Sequence, residues 1–238
     1  MTQPRSNPLD NVYRRYDFCA MTPLQLDNSL SRLHLLTKLI VGGGAIPAPL
    51  IHRIREKRTK VYETYGMTET VTHVAARRVN PKKSKEEQAP FKALPKVSVN
   101  VDDRGCLVIK APAVSADPVV TNDIVELISF KKFHWLGRID NVINSGGVKL
   151  YPEQIEQKLA AMISVPYFVS SLPDEQLGER LVLFVEQEGD FSFDEDHFDP
   201  TQFEKFELPK KIIAISTFQR TATGKLQRGQ TVRQYCNK

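Results

Sequence analysis

The chain lacks the features that mark disulfide-rich, metal-stabilised, secreted or membrane-spanning proteins. Its three cysteines are odd in number and widely spaced, and none stands at the short intervals of a metal-binding motif. Such scattered thiols are typical of a reducing compartment. No run approaches the roughly 18 apolar residues that a membrane-spanning helix needs, and the first residues have no apolar core of a signal peptide. We therefore expect a cytoplasmic protein with no membrane span.

The charge pattern does not favour a nucleic-acid partner. The 238 residues are 41% hydrophobic and 26% charged, as in ordinary globular proteins, and the length allows one or two domains. The formal net charge is +5, but Lys and Arg alternate with Asp and Glu almost everywhere. The densest basic run, residues 81–87, ends in two glutamates. We favour a solvated loop there over a phosphate-binding patch.

The first part of the chain has the residue order of an α/β layer. Thr22 followed by Pro23 is a typical helix start, and leucines at helical spacing follow it. Residues 38–41 form a short apolar strand that three glycines end. A second amphipathic helix is predicted after Pro47 and a second strand at 60–63. The order strand, glycine turn, helix, strand predicts a parallel sheet covered by helices.

Beyond a polar linker at 80–92 the pattern becomes one of short strands. A hairpin turn at 102–105 joins two alternating strands. A further strand pair is predicted at 125–128 and 133–136.

From Asp140 onward the pattern predicts a small α+β domain of about 100 residues. A helix begins near Pro152, and a short helix follows Lys225. Three strands lie between these helices, at 167–170, 181–185 and 212–215.

The residues directly after the strand at 60–63 include the sequence Tyr-Gly-Met-Thr-Glu, at positions 65–69. One interpretation is a tight turn in which Thr68 caps a following helix and Glu69 lies in its first turn. The other is a phosphate site, in which the threonine hydroxyl and nearby backbone N–H groups hold an α-phosphate while Glu69 offers an oxygen ligand to Mg²⁺. These residues alone leave both interpretations open.

Two further segments combine turn residues with groups that suit a ligand. The three glycines at 42–44 match neither a Walker loop nor a dinucleotide fingerprint. They form either a strand-ending turn or a place where a ligand approaches the backbone, for which glycine leaves room. Residues 121–125, Thr-Asn-Asp-Ile-Val, taken by themselves indicate a simple turn around Asp123.

The most informative stretch runs from 135 to 156. It contains Arg138 and Asp140 two residues apart, then the glycine pair Gly146-Gly147, and then the start of an amphipathic helix. This order suggests a ligand-holding arm beside the pivot of a domain that swings. For the two charged residues, a surface salt bridge is the alternative.

Near the other end of the chain, residues 221–226 read Thr-Ala-Thr-Gly-Lys-Leu. By itself Lys225 is most simply an exposed lysine. A lysine is also suited to act as a mobile cation that offsets the negative charge growing on a transferring phosphate.

In this order the motifs resemble those of the acyl-adenylate-forming superfamily, which includes acyl-CoA synthetases, adenylation domains and luciferases. Parts of 135–156, together with Leu-Pro-Asp-Glu-Gln-Leu-Gly-Glu at 172–179, resemble most closely the o-succinylbenzoate–CoA ligases of menaquinone biosynthesis. The resemblance implies an α/β fold: the C-terminal part of the large adenylating domain at 1–139, followed by a smaller mobile α+β lid domain at 140–238.

The resemblance also implies a nucleotide-binding set. In the family the tyrosine of the five-residue motif lines the adenine pocket, while its threonine and glutamate act on the phosphate and on Mg²⁺. The residues of this chain that carry over are Gly43, Gly44, Tyr65, Gly66, Met67, Thr68, Glu69, Asp123 and Arg138.

Six positions take more specific roles from the resemblance. Asp123 would accept hydrogen bonds from both ribose hydroxyls, and Arg138 would meet the ribose and phosphate from the other side. Asp140 would be the hinge, Gly146 and Gly147 would line a channel for the pantetheine of CoA, and Lys225 would act on the phosphate as the catalytic lysine.

The implied reaction has two steps and uses ATP, Mg²⁺ and CoA. A carboxylate and ATP give an acyl-adenylate and pyrophosphate; the lid then rotates, and CoA displaces AMP to form a thioester. We therefore expect an acid–CoA ligase acting on o-succinylbenzoate. A ligase for another aryl or fatty acid and a non-catalytic nucleotide-binding fragment are the alternatives.

The chain departs from the family in two places. Asn122 stands where the family's Thr-Gly-Asp motif has glycine, a mild change because Asn tolerates left-handed turns. No stretch before Gly42 resembles the family's phosphate loop, which orders the β- and γ-phosphates of ATP. We expect a fragment or one half of a split enzyme with exposed sheet edges, working with a missing N-terminal segment in trans or as a homo-oligomer.

Overall fold

The computed structural model describes residues 5–81, 89–160, 162–189, 191, 203–221 and 226–236. The chain divides into two compact units, Met1–Trp135 and Leu136–Lys238. Lys225 and most of the predicted linker at 80–92, with its basic run, lie outside the described residues. No helix within the described ranges is long and apolar enough to cross a membrane.

Within the described residues nine strands form one sheet: β1 (Tyr16–Met21), β2 (Leu36–Val41), β3 (Lys60–Gly66), β4 (His73–Arg78), β5 (Phe91–Ala93), β6 (Ser98–Val101), β7 (Cys106–Lys110), β8 (Val119–Ser129) and β9 (Lys132–Arg138). Their order across the sheet is β1-β2-β3-β4-β5-β9-β8-β7-β6.

Among the described strands of this sheet, the predicted parallel pairing is found only in β1, β2 and β3. The pairings of β3 with β4, β4 with β5, β5 with β9, β6 with β7 and β7 with β8 are antiparallel. Helical crossovers connect the first three strands, whereas short turns follow β3 and β6. A short turn can only bring the next strand back in the opposite direction, and this is why the parallel arrangement ends.

Two short helices pack on the parallel strands. α1 (Pro23–Asn28) begins as predicted, because the Gln25 N–H donates to Thr22 Oγ1 at 3.3 Å and the Thr22 N–H donates to Gln25 Oε1 at 2.9 Å. α2 (Ala48–Ile54) begins after Pro47. The predicted run of helical leucines is not one helix. It is broken at the buried Ser29, whose hydroxyl donates to Asn7 Oδ1 at 2.9 Å, and a 3₁₀ helix, Leu30–Leu35, follows.

Strand β1 lies at one edge of the sheet, and β6 lies at the other. Among the described strands β1 pairs only with β2, and the aromatic side chains of Tyr16 and Phe18 on it are exposed. This agrees with the expectation of an exposed edge with apolar surface.

Residues 121–125 are not a turn, because they lie within β8. Thr121, Asp123 and Val125 are buried and alternate with less buried neighbours, which is the two-residue period of a strand with one covered face. Asn122 is not among the described non-glycine residues with positive φ. Its side chain instead accepts a hydrogen bond from Arg104 Nη1 at 3.2 Å. The β-branched residues around Asp123 favour a strand over a turn.

The second unit has a mixed α+β fold. Its elements are β10 (Ile143–Ser145), β11 (Val148–Leu150), α3 (Pro152–Leu159), β12 (Tyr167–Asp174), β13 (Gly178–Glu186), β14 (Lys211–Ile215) and α4 (Arg228–Cys236). The antiparallel strands lie in the order β11-β10-β13-β12, and β14 pairs with β13 in parallel. Ile155 and Leu159 of α3 are fully buried, at the helical spacing that the sequence predicts. The predicted strands and both helices are thus confirmed.

Candidate functional site

The Tyr-Gly-Met-Thr-Glu segment completes strand β3 and then turns. Tyr65 and Gly66 are the last two residues of β3, and Thr68–Thr70 form a single 3₁₀ turn. The tight turn is present and Glu69 lies in the first turn of this 3₁₀ helix, but the residue at its N-cap is Met67, so Thr68 does not cap a following helix. The side chains of Thr68 and Glu69 are exposed, and within the described residues neither has a hydrogen-bond partner. Both are therefore available to a ligand.

Tyr65 joins this segment to Asp123, although 58 positions separate them in the sequence. The Tyr65 hydroxyl donates to Asp123 Oδ2 at 2.5 Å. The tyrosine ring packs against Phe91 and Phe133, at 5.8 and 5.4 Å between ring centroids. Asp123 itself is buried. The structure thus brings together two of the motifs that the sequence singled out.

The glycine turn lies at the carboxyl ends of the parallel strands. The Gly42 N–H donates to the carbonyl of Met21, the last residue of β1, at 3.1 Å. A Cβ on Gly42 would lie 2.7 Å from Thr64 Oγ1, so this close approach requires glycine. Gly43 has a φ of +84°, whereas a Cβ on Gly44 would meet nothing within 4 Å. Ligands of open α/β sheets bind outside the carboxyl ends of the strands, and Gly43 and Gly44 are exposed there.

Glu63 and Arg77 form a buried ion pair behind this turn, and the sequence analysis did not identify it. Arg77 Nε donates to Glu63 Oε2 at 2.6 Å, and the two side chains are only 10% and 4% exposed. Glu63 Oε1 accepts from the Ile46 N–H at 2.9 Å, and the Arg77 guanidinium lies 4.6 Å from the centre of the Phe91 ring. The pair therefore anchors the chain that leaves the glycine turn. The available signal was a carboxylate at an inward position of a predicted strand.

No group of three or more His, Cys, Asp or Glu side chains in the described residues could hold a metal ion alone. Glu69 offers one exposed carboxylate. A single protein carboxylate suits Mg²⁺ that is carried by a nucleotide, because protein-bound Mg²⁺ usually takes one or two carboxylates together with phosphate oxygens and water.

Arg138 and Asp140 form an ion pair in the second unit. Arg138 Nη2 donates to Asp140 Oδ2 at 3.0 Å, and about half of each side chain is exposed. The surface salt bridge that the sequence left as the alternative is therefore present. Asp140 lies in a 3₁₀ turn, Ile139–Asn141. The two units separate after Trp135, and the pivot at Asp140 stays a prediction.

The two glycines after β10 make the turn that the sequence indicates. Gly146 and Gly147 have φ values of +61° and +85° and lie between β10 and β11. The Gly146 N–H donates to the Leu177 carbonyl at 2.8 Å. A Cβ on Gly147 would meet nothing within 4 Å, so space is open beside it. A role for this turn in binding CoA stays a prediction.

Arg228 and Glu156 form a partly buried ion pair, with side chains 23% and 18% exposed, that the sequence did not indicate. Arg228 Nη2 donates to Glu156 Oε2 at 2.7 Å, and the Val169 N–H donates to Glu156 Oε1 at 2.7 Å. Burial, partly offset by Arg228, raises the pKa of Glu156 to about 7. The pair ties the start of α4 to α3, and Lys225, outside the described residues, precedes α4 in the sequence.

One solved structure decides the family. It is an AMP-forming acyl-CoA synthetase/AMP-acid ligase II-like protein from Dyadobacter fermentans, 35% identical to this chain, with a TM-score of 0.56. The alignment covers 98% of this chain and 69% of that one. The chain belongs to the AMP-forming acyl-CoA synthetases. No protein-family model matches the chain.

Other members of this family show a consistent likeness. A 2-succinylbenzoate–CoA ligase from Bacillus cereus is 29% identical over 216 residues, covering 80% of this chain and 45% of that protein. The o-succinylbenzoate–CoA synthetase of Bacillus subtilis, solved with ATP and a magnesium ion, has a TM-score of 0.76 at 23% identity. That alignment covers 91% of this chain and 51% of the other. The chain spans less than half the length of the curated Bacillus cereus relative. The predicted family and the predicted α/β fold class are confirmed.

Proposed function

We propose that this chain takes part in forming a CoA thioester from o-succinylbenzoate by way of an acyl-adenylate. Membership of the AMP-forming acyl-CoA synthetases supports the class of reaction, and the likeness to 2-succinylbenzoate–CoA ligases supports the acid. One structural observation carries the proposal. The Tyr65–Asp123 hydrogen bond joins two family motifs within one unit and leaves Thr68 and Glu69 exposed nearby in the chain.

Asp123 binds the ribose in this proposal. The Tyr65 hydroxyl occupies one lone pair of Oδ2, so the carboxylate keeps Oδ1 and a second lone pair of Oδ2 for the two ribose hydroxyls. The Tyr65 ring, held by Phe91 and Phe133, forms a wall of the adenine pocket. Gly43 and Gly44 leave room for the base and the acyl group beside the backbone.

The phosphates bind at the turn after β3. The Thr68 hydroxyl donates to an α-phosphate oxygen, and Glu69 binds the Mg²⁺ that accompanies ATP. The ion neutralises charge on the phosphates and so favours departure of pyrophosphate. In this arrangement the main chain of Gly66 and Met67 lies close to the same phosphate.

The proposed reaction balances in two steps. First, a carboxylate oxygen of the acid bonds to the α-phosphorus, and the bond from that phosphorus to the pyrophosphate oxygen breaks, while Lys225 offsets the growing charge. Second, the CoA sulfur bonds to the acyl carbon, the thiol proton passes to water, and the bond to the AMP oxygen breaks. We assign Arg138, the hinge Asp140 and the turn Gly146-Gly147 to the lid, residues 140–238 with its preceding arm.

Two assays test the proposal on the chain as it stands. Isothermal titration calorimetry measures binding of AMP and of ATP with Mg²⁺. A coupled assay measures o-succinylbenzoyl-CoA made from the acid, ATP, Mg²⁺ and CoA, and separately from preformed o-succinylbenzoyl-adenylate and CoA. Asp123→Asn is expected to weaken nucleotide binding about tenfold, since it removes a charged acceptor from the ribose. Lys225→Ala is expected to abolish the first step, whereas Lys205→Ala, at an exposed lysine, leaves it unchanged.

The outcomes separate the alternatives. Thioester from the adenylate but not from the acid would confine the chain to the second step. Nucleotide binding with no thioester from either would indicate a non-catalytic nucleotide-binding chain. Preference for benzoate or a fatty acid would replace the proposed acid, and no binding of either nucleotide would contradict the proposal.

A further inference from the structure

Val71 has a strained backbone directly after the Thr68–Thr70 turn. Its φ is +61° and its ψ is −35°, and the residue is 81% exposed. The only described non-glycine residues with positive φ are Asn11, Val71 and Lys96, and Val71 alone among them is β-branched. A β-branched residue is disfavoured there because its Cβ substituents crowd the backbone. Residues held in such conformations cluster at functional sites.

A three-residue turn centred on Val71 reverses the chain. The Thr72 N–H donates to the Thr70 carbonyl at 2.5 Å, which is the i to i+2 hydrogen bond of a γ-turn. With positive φ at its central residue, this is the rarer and more strained form of that turn. The reversal carries the chain from the exposed Glu69 into strand β4 within three residues.

The buried hydroxyl of Thr70 locks this turn from inside. Thr70 Oγ1 accepts from the Met67 N–H at 3.0 Å, and it lies 3.0 Å from the Met67 carbonyl and 2.8 Å from the Thr72 carbonyl. The side chain is fully buried. One hydroxyl therefore connects the residue before Thr68 with the residue after Val71, so that both ends of the exposed pair are held.

Gly66 fixes where the returning chain must go. Gly66 pairs with His73 across the end of β3 and β4. A Cβ on Gly66 would lie 2.6 Å from the Thr72 carbonyl oxygen and 2.7 Å from His73 Cα. The chain thus returns in direct backbone contact with Gly66, and six residues must leave and re-enter the sheet at one point. The strain at Val71 is a consequence of this short closure.

We propose that Thr70 and Val71 are positioning residues for the nucleotide site. The strained turn at Val71, locked by the Thr70 hydroxyl, holds Thr68 and Glu69 in the outward arrangement that binds the phosphate and its Mg²⁺. The inference rests on the proposed function of those two residues. A turn held in one conformation loses less conformational entropy when a ligand binds than a turn that must first be ordered.

A merely structural turn predicts a different result from a positioning turn. Val71→Gly relieves the strain, because glycine adopts positive φ without cost, and it also frees the turn. If the turn only connects two strands, the variant gains stability and nucleotide affinity does not change. If the turn positions Thr68 and Glu69, stability rises while affinity falls. A positioning role therefore predicts that Val71→Gly raises stability and lowers nucleotide affinity at the same time.

Lys96→Gly is the matched control. Lys96 is exposed, has a φ of +62° and lies in the turn between β5 and β6, outside the nucleotide-binding set. Thermal unfolding measures stability, and calorimetry measures the Kd for ATP with Mg²⁺. We expect both glycine variants to raise Tm by about 2 °C. We expect Val71→Gly to raise Kd about three- to tenfold and Lys96→Gly to leave it unchanged.

Thr70 is tested by a conservative pair of variants. Thr70→Val keeps the shape but removes the hydroxyl, and we expect it to raise Kd about tenfold. Thr70→Ser keeps the hydroxyl and is expected to restore binding to within about twofold of the unchanged chain.

The possible failures are distinguishable. An unchanged Kd in Val71→Gly, or a Tm lower than that of the unchanged chain, would overturn the positioning role while leaving the proposed function intact. Equal loss of affinity in Thr70→Ser and Thr70→Val would remove the role of the hydroxyl. If the unchanged chain binds neither AMP nor ATP with Mg²⁺, the proposed function fails and the positioning role fails with it.

Discussion

The partly buried carboxyl of Glu156 predicts how the stability of the second unit depends on pH. Glu156 lies on α3, where it accepts hydrogen bonds from Arg228 at the start of α4 and from the Val169 N–H of β12. Burial is the largest influence and raises the pKa from 4.5 to about 7, with repulsion from Glu153 adding to it and Arg228 opposing it. The group therefore titrates near neutral pH in the folded unit.

The sign of the effect follows from proton binding. In the unfolded chain this carboxyl has its ordinary pKa, so between pH 4.5 and about 7 the folded unit binds more protons than the unfolded chain. The protonated Glu156 carboxyl therefore stabilises the folded unit relative to the charged form. This stabilisation is fully present below pH 4.5 and is lost as the pH rises through about 7. The gap between the two pKa values corresponds to about 3 kcal/mol, which bounds the loss that this one group causes.

Hydrogen exchange at the buried amides of β13 measures the free energy of opening of the second unit, after correction for the intrinsic exchange rate at each pH. We expect this free energy to fall by up to about 3 kcal/mol between about pH 5 and 8. Glu156→Gln keeps the size of the side chain but removes its charge, so the free energy of opening of this variant should not change with pH over this range. Glu188→Gln alters an exposed carboxyl, and its free energy of opening should show the same pH dependence as that of the unchanged chain. A free energy that rises with pH, or a slope that persists in Glu156→Gln, would refute the reasoning.

Two further predictions concern the first unit, whose unfolding can be followed by the fluorescence of the single tryptophan, Trp135, which packs against the buried apolar cluster that includes Phe91 and Phe133. Glu63→Gln leaves the buried Arg77 guanidinium without its counter-charge and should lower the free energy of unfolding in urea by about 3 kcal/mol; a loss no larger than that of the exposed Glu126→Gln would contradict the anchoring role. Gly66→Ala places a Cβ 2.6 Å from the Thr72 carbonyl oxygen and should lower Tm by about 4 °C or more. Gly44→Ala, with open space around its Cβ, is the comparison, and equal melting of the two variants would refute the close packing.

Local patterns in the sequence determined most of the secondary structure. The Thr22 cap, the strand at 38–41 and the buried face of α3 are all properties of a few neighbouring residues, and the structure contains each of them. The turn predicted at 121–125 was wrong because the β-branched residues around Asp123 favour a strand, a local signal that the turn residues Asn122 and Asp123 outweighed in the prediction. The long helix after Thr22 was wrong for a reason that is not local: Ser29 bonds to Asn7, 22 positions away.

In the candidate site, too, some residues could be identified from the sequence and others only from the tertiary structure. The resemblance of two short motifs to those of a known family marked Tyr65 and Asp123, because such motifs can be found in the sequence without the fold. Only the tertiary structure decided that they touch, since the antiparallel part of the sheet lies between their strands. It alone also revealed Glu63, Thr70 and the strain at Val71. Burial of a carboxylate, satisfaction of a hydroxyl and the φ of a valine depend on how distant segments pack, and no local pattern encodes that packing.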